Sequence, residues 1–412
     1  MMRSLFSGIS GLKEHQTMMD VVGNNIANIN TIGYKASRLT MEDMISQTEQ
    51  GPTGPINGMG GINPKQVGLG VVSGTIDTIF TQGNLQTSGK VTDLAIQGNG
   101  FFVLRKGNDQ KLFYSRTGTF DIDASNQLVN PATGLKVQGW MADENGIVDS
   151  NLPIRDILIP LGELMTARAT DNIIYIGNLN AGANIGPDSS YRNTVQVYDT
   201  LGNSHLITIN FEKMGINQWQ WQASGDGITV GAFNQGTINF DNYGNFVSQT
   251  GSIQIDVSSF GANDPLNITI DFSNTTQLAT TTTVTAGEQN GYPPGVLESF
   301  TIGQDGTING IYSNGSTRNI ARIALCTFRN PGGLLKLGNS IYESTSNSGI
   351  PQIGEAMTKS RGSIISGALE MSNVDLAKEF TNMIISQRGF QANSKIISTA
   401  DEMLQTLVNI KR

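Results

Sequence analysis

The chain has 412 residues, of which 38% are hydrophobic and 15% charged, and a formal net charge of −8. That balance belongs to a folded chain of two or three domains, not to a long acidic disordered one. The negative charge, with no basic cluster longer than Lys411-Arg412, excludes nucleic acid as a partner. A single cysteine, Cys326, excludes an internal disulfide. No segment approaches the roughly 20 apolar residues of a membrane span, and no signal-peptide core follows MMRSLFSGISGL.

In chain order, the first predicted element is a helix over about Ser4 to Asn28, ending in the turn-forming run Asn28-Ile-Asn-Thr-Ile-Gly33. Its apolar residues Leu5, Leu12, Met19 and Ile26 recur every seventh position. Such a stripe is a narrow seam for packing against other helices. Tyr34 to Ile45 reads as short helical or mixed structure, and Gly51 to Gly70, with seven glycines and three prolines, as an extended connector.

From Val71 the pattern turns to short alternating runs broken by Gly-Asn and Thr-Gly turns, which is an antiparallel β signature. A second β region runs through Val195/Val197, Ile207/Ile209/Phe211, Trp219/Trp221 and Ile268/Ile270/Phe272. It closes at Gly291-Tyr-Pro-Pro-Gly295. The stretch from Phe300 to Tyr342 returns to strands, so the expectation is a nested chain. The last element is a helix over about Leu369 to Ile410, spanning roughly 60 Å at 1.5 Å per residue. It carries the same beat of sevens: Leu369, Leu376, Met383, Phe390, Ile397 and Leu404.

The expected fold class is therefore mainly β with terminal α-helices: two nested antiparallel β domains plus an N- and C-terminal helical coiled-coil domain. The expected divisions are 1–33 with 366–412 (helical assembly domain) and 34–70 with 355–365 (extended connector). They continue with 71–145 with 291–354 (inner β domain) and 146–290 (inserted outer β domain).

Motifs for chemistry are thin. Gly83 to Lys90 has phosphate-loop residues at the wrong spacing and reads as a turn. Asp121-Ile-Asp123-Ala-Ser125 opens like a calcium loop but lacks its glycine and its glutamate, and reads as a hairpin turn. His205 beside Asp199 and Ser204 reads as a turn histidine, and Cys326, in an alternating run, as a buried structural thiol. Trp219 and Trp221 share one strand face, which leaves core packing or a sugar-binding platform.

Residues 20–35, Asp-Val-Val-Gly-Asn-Asn-Ile-Ala-Asn-Ile-Asn-Thr-Ile-Gly-Tyr-Lys, resemble the N-terminal signature of bacterial flagellar rod and hook axial proteins. Ser372-Asn-Val-Asp-Leu-Ala-Lys-Glu-Phe380 and Gln387-Arg-Gly-Phe-Gln-Ala-Asn-Ser-Lys395 resemble its C-terminal signature. On these motifs the family positions are Asn24, Asn25, Asn28, Gly33, Tyr34, Asn373, Gln387, Arg388 and Asn393. Val197-Tyr-Asp-Thr-Leu-Gly-Asn-Ser204 and Phe240-Asp-Asn-Tyr-Gly-Asn245 resemble the outer domain of hook proteins, and Asp93 to Phe102 the inner domain shared by rod and hook.

The resemblance implies a structural subunit, with no enzyme activity and no cofactor or metal, that polymerises with itself into a curved tube joining rod to filament. The partners it implies are a distal rod protein, a hook cap, a hook-length ruler, a hook-filament junction protein and the flagellar export apparatus. It implies export without a cleaved signal to the extracellular flagellum, with no membrane insertion. Two other readings stay open: a distal rod protein, and more remotely a surface adhesin using the Trp219/Trp221 face.

Overall fold

The computed structural model describes every residue except 1, 56–59, 108, 144, 145, 226–233, 264, 411 and 412. The basic pair Lys411-Arg412 and part of the Gly51 to Gly70 stretch thus lie outside the described residues. Two compact units divide the chain: residues 1–159, 301–309 and 319–412 in the first, 160–300 and 310–318 in the second.

The first unit begins with helix α1, Met2–Ala27. Four strands follow: β1, Ser37–Asp43; β2, Ser46–Gln50; β3, Lys65–Gly68; and β4, Val71–Thr78. β1 pairs antiparallel with β4, and β2 with β3. The helical or mixed reading of Tyr34 to Ile45 is therefore corrected to strand, and Gly51 to Gly70 is in part the turn and return strand of a ribbon. The alternation Arg38-Leu-Thr-Met has the two-residue period of a pleated strand, and β4 supplies its partner edge.

At the centre of the same unit Phe101–Arg105 pairs antiparallel with Leu135–Met141 and with Leu112–Ser115. Phe101, Val103, Tyr114, Trp140, Cys326, Phe328 and Tyr342 form its core. Phe101 meets Phe80, Phe328 and Tyr342 edge to face at 5.4–5.9 Å, the geometry ring quadrupoles favour. Cys326 is fully buried there, and burial pushes its thiol up to about 12. The unit closes with helix α2, Leu376–Ile410. Leu369 does not belong to it: Ala368–Glu370 is a strand paired with Leu85–Thr87. The helix begins only after Asp375, whose carboxylate accepts from the backbone N–H of Ala377 at 2.9 Å and caps the first turn.

The second unit contains a five-stranded antiparallel meander from Tyr191 to Gln249 and a four-stranded sheet. In the four-stranded sheet Asn172–Asn180 runs parallel to Leu266–Leu278, an exception to the expected antiparallel pattern. One core joins their inner faces, including Tyr175, Phe211, Trp219, Trp221 and Phe272. Two of its turns repeat one device. Asp199 accepts from the backbone N–H of Leu201 and Asn203, and Asp241 from those of Tyr243 and Asn245, at 2.8–2.9 Å. Gly202 and Gly244 supply the left-handed residue, at φ +87° and +83°. No helix among the described residues is long and apolar enough to cross a membrane.

Candidate functional site: the paired terminal helices and their clasp

The two helices pack antiparallel on one another through small residues. A Cβ at Gly8 would meet Ile397 at 3.3 Å, at Gly11 the Asn393 amide at 2.6 Å, and at Gly389 the His15 ring at 2.4 Å. Ser386 Oγ donates to the carbonyl of His15 at 2.6 Å. On α2 the buried positions Glu379, Ser386 and Ala400, with half-buried Asn393 between them, recur every seven residues. The seam that joins the helices is thus heptad-spaced but small and polar, because only such residues let two backbones approach this closely.

The apolar sevens lie beside that seam. Leu5, Leu12, Met19, Ile26, Met383, Ile397 and Leu404 are half-buried, while Leu376 and Phe390 are exposed by 40% and 37%. Leu369 sits on its strand, outside the helical stripe. Phe6, Ile384 and Val408, at 64%, 58% and 68%, extend the exposed apolar surface along the pair.

The amide positions of the signatures hold the foot of the helices. Asn25, buried, accepts from the Tyr34 hydroxyl at 3.2 Å and the Ser37 N–H at 2.9 Å, and donates to the Ser37 carbonyl at 2.8 Å. Asn24 and Thr31 both bond to the Asn28 side chain and finish the last turn. Asn373 reaches the same place from the other chain end, accepting from the Ala36 N–H at 2.8 Å and donating to the Ile79 carbonyl at 2.8 Å. Gly33 has φ +67°, and a Cβ there would stand 2.8 Å from Thr117 Oγ1. Tyr34 is buried, and burial together with the charge of Glu379 pushes its phenol up. Gln387 and Arg388 point away from all this and are exposed, while Asn393 fits against Gly11.

Beneath these amides lies a fully buried charge cluster that sequence reasoning missed. Lys35 Nζ is 2.6 Å from Glu370 Oε1, and Arg116 Nη1 is 3.3 Å from Glu370 Oε2. Glu370 also accepts from the Gly83 N–H at 2.9 Å, and Arg116 donates to the carbonyls of Ile96 and Gly98. Burial pulls both cations below their ordinary values, and Glu370 opposes it. The available signal was the two-residue alternation of Ala368-Leu-Glu370, which turns Glu370 to the same buried side as Ala368.

Elsewhere the polar groups brace turns. His205 Nε2 is 3.2 Å from Asp199 Oδ2, a carboxylate that Asn203 also holds. Trp219 and Trp221 are 1% and 0% exposed. Alternation along Gln218–Gly225 turns both rings into the core, so the face on which a sugar platform or adhesin would depend is not at the surface.

Four family models match the chain in sequence order. They are described as flagella basal body rod protein (residues 5–35), flagellar hook protein FlgE/F/G D1 domain (95–174), flagellar basal body protein FlaE D2 domain (178–292) and flagellar basal body rod FlgEFG protein C-terminal (365–410). The flagellar hook protein FlgE of Treponema pallidum is 42% identical, over the whole of both chains. That of Borreliella burgdorferi is 44% identical, again over the whole of both. The crystal structure of Helicobacter pylori flagellar hook protein FlgE2 superposes with a TM-score of 0.56 at 15% identity, covering 69% of this chain and all of the other, a likeness of fold. With relatives of this identity matched end to end, the chain belongs to the flagellar hook protein family.

Proposed function

We propose that the chain is a structural subunit of the bacterial flagellar hook, polymerising with itself into a curved, flexible tube that passes torque from rod to filament. It acts by shape and contact, not as an enzyme. The observation that carries this reading is the helix pair: its two chain ends are tied to each other by a small-residue seam while apolar residues on both helices remain uncovered. A heterologous contact repeated between copies builds a helical polymer, and uncovered stripes supply such a contact.

In this reading Leu5, Leu12, Met19, Ile26, Leu376, Met383, Phe390, Ile397 and Leu404 face neighbouring subunits in an inner tube, with Leu369 on the strand that leads into it. The proposed organisation is four-part: 1–33 with 366–412, 34–70 with 355–365, 71–145 with 291–354, and 146–290, the helices of the first part forming the tube contact. The distal rod protein, hook cap, length ruler, junction protein and export apparatus are its proposed partners, and the extracellular hook its place.

A distal rod subunit is the nearest rival, because models named for rod proteins match both ends of the chain. Electron microscopy of a strain lacking this chain separates the two. Completed rods without hooks, with hooks restored by the gene in trans, are expected. Truncated rods would sink the hook assignment.

A further inference from the structure

Glu379 is a carboxylate in the wrong surroundings for a lone chain. It is 7% exposed, and its Oε2 is buried with no hydrogen-bond partner. It lines a cleft of about 240 Å³ whose other walls include Met18 and Val22 of α1, Leu39 of β1, and Ile79. Arg38 and Lys378 stand on the same cleft, but Arg38 pairs with Asp77 at 3.6 Å and neither hydrogen-bonds Glu379. A buried carboxylate oxygen without a partner is costly, and a cation with an apolar stem would relieve it.

The opposite side of α2 carries such cations. Arg388 follows Glu379 by nine residues, two and a half turns, so it points half a turn away, displaced about 13.5 Å along the axis at 1.5 Å per residue. Lys395, seven residues further, falls on the same outward stripe, and Ile384, 58% exposed, lies beside Arg388. Arg388 and Lys395 are both exposed, and neither forms an ion pair among the described residues. Within one chain Arg388 cannot reach the cleft. A second copy can supply it.

We propose that Arg388 of one subunit inserts into the Glu379 cleft of the next, its stem against Met18 and Val22 and its guanidinium on the buried carboxylate. The proposal rests on the self-polymerising reading above and gives it a specific contact. Donor and acceptor on opposite faces of one helix make a head-to-tail interface, which propagates instead of closing as a dimer. A planar guanidinium satisfies both carboxylate oxygens at once, which Lys395 cannot do.

The test is crosslinking in the polymer. Glu379→Cys/Arg388→Cys puts the two thiols on opposite faces of α2, about 13.5 Å apart along its axis at 1.5 Å per residue, too far for a short bismaleimide to join within one chain, and Cys326 is buried. Across the proposed contact such a reagent fills the gap left by the two long side chains, which a direct disulfide, needing Cα atoms within about 7 Å, does not. Purified double-cysteine chain, polymerised and then treated with that reagent, is expected to give a ladder of crosslinked oligomers on denaturing gels. Each single variant should give none. Polymer of normal appearance without a ladder overturns the proposal.

Should the double variant not polymerise, charge reversal decides. Arg388→Glu, at an exposed position, should raise the critical concentration at least tenfold. An equimolar mixture with Glu379→Arg should restore it, because each copy then matches the other. Arg388→Glu polymerising at the wild-type concentration overturns the contact. Wild-type chain that forms no tube at all overturns the hook-subunit reading instead.

Discussion

Single residues fix where the two chain ends meet. The Lys35, Glu370 and Arg116 side chains are at most 3% exposed, so each charge depends on the others for solvation. Glu370→Gln leaves two buried cations without an anion, and urea unfolding at neutral pH should show a loss of about 3–5 kcal/mol. The triple variant Lys35→Met/Arg116→Met/Glu370→Leu should be near neutral by the same measurement, because it removes the need along with the partner.

Asp156 gives a second residue-scale prediction. Burial pushes its carboxyl up, but donors from Gln138, Arg105 and Lys136 outweigh burial and hold it below 3.8. A depressed folded value means that its stabilisation is complete above 3.8 and is lost as pH falls through the folded value. Asp156→Asn should therefore cost about 1.5–3 kcal/mol at neutral pH and flatten the acid limb of the stability curve, read by denaturant titrations at successive pH values.

At the scale of elements, periodicity revealed that both ends are helical and that sevens matter on them. It did not show which sevens join the two helices. Hydrophobicity drew the eye to Leu12 and Phe390, whereas close approach selects Gly11, Gly389 and Ser386, whose signature is a side chain that is absent or small. Leu369 was misread for a related reason: the beat of sevens continues through it, but the cap at Asp375 and the partner strand Leu85–Thr87 decide the structure. β1 was illegible as strand because its partner β4 lies beyond a Gly/Pro-rich ribbon. Since Phe390 lies outside the intramolecular seam, Phe390→Asp should leave the circular dichroism of the monomer unchanged and abolish pelletable polymer. Polymer of wild-type yield would mean that the apolar stripe is idle.

For the whole molecule, two separate cores predict two separable folding units. The second unit buries Trp219 and Trp221 on strands whose partners all lie within Asn172 to Gln289. Residues 160–318 expressed alone should fold, with blue-shifted tryptophan fluorescence and a cooperative melt. A red-shifted, non-cooperative fragment would show that the unit depends on the rest. This division was half legible: Pro/Gly punctuation at Gly291 to Gly295 lies close to its end at Phe300. Its start carries a signal of the same kind, the turn Pro160-Leu-Gly162, in which the Glu163 N–H donates to the Pro160 carbonyl at 3.1 Å and Gly162 has φ +75°, but the thicker run of turn residues before Asn151 drew the expected boundary to 146 instead.

The clasp has a consequence for chains that are not whole. Lys35 and Glu370 are 335 positions apart, so one half of the lock is set near the start and the other only 42 residues from the finish. Any product that stops before Glu370 leaves Lys35 and Arg116 facing each other with nothing between them, and also lacks Asn373 to hold the Ala36 strand. Two like charges in a dry pocket repel, so such a fragment keeps its inner end open and offers proteases an unclosed seam. The contact therefore checks the chain only as far as Asn373: a product that ends before Glu370 cannot shut it, whereas one that ends within α2 still can.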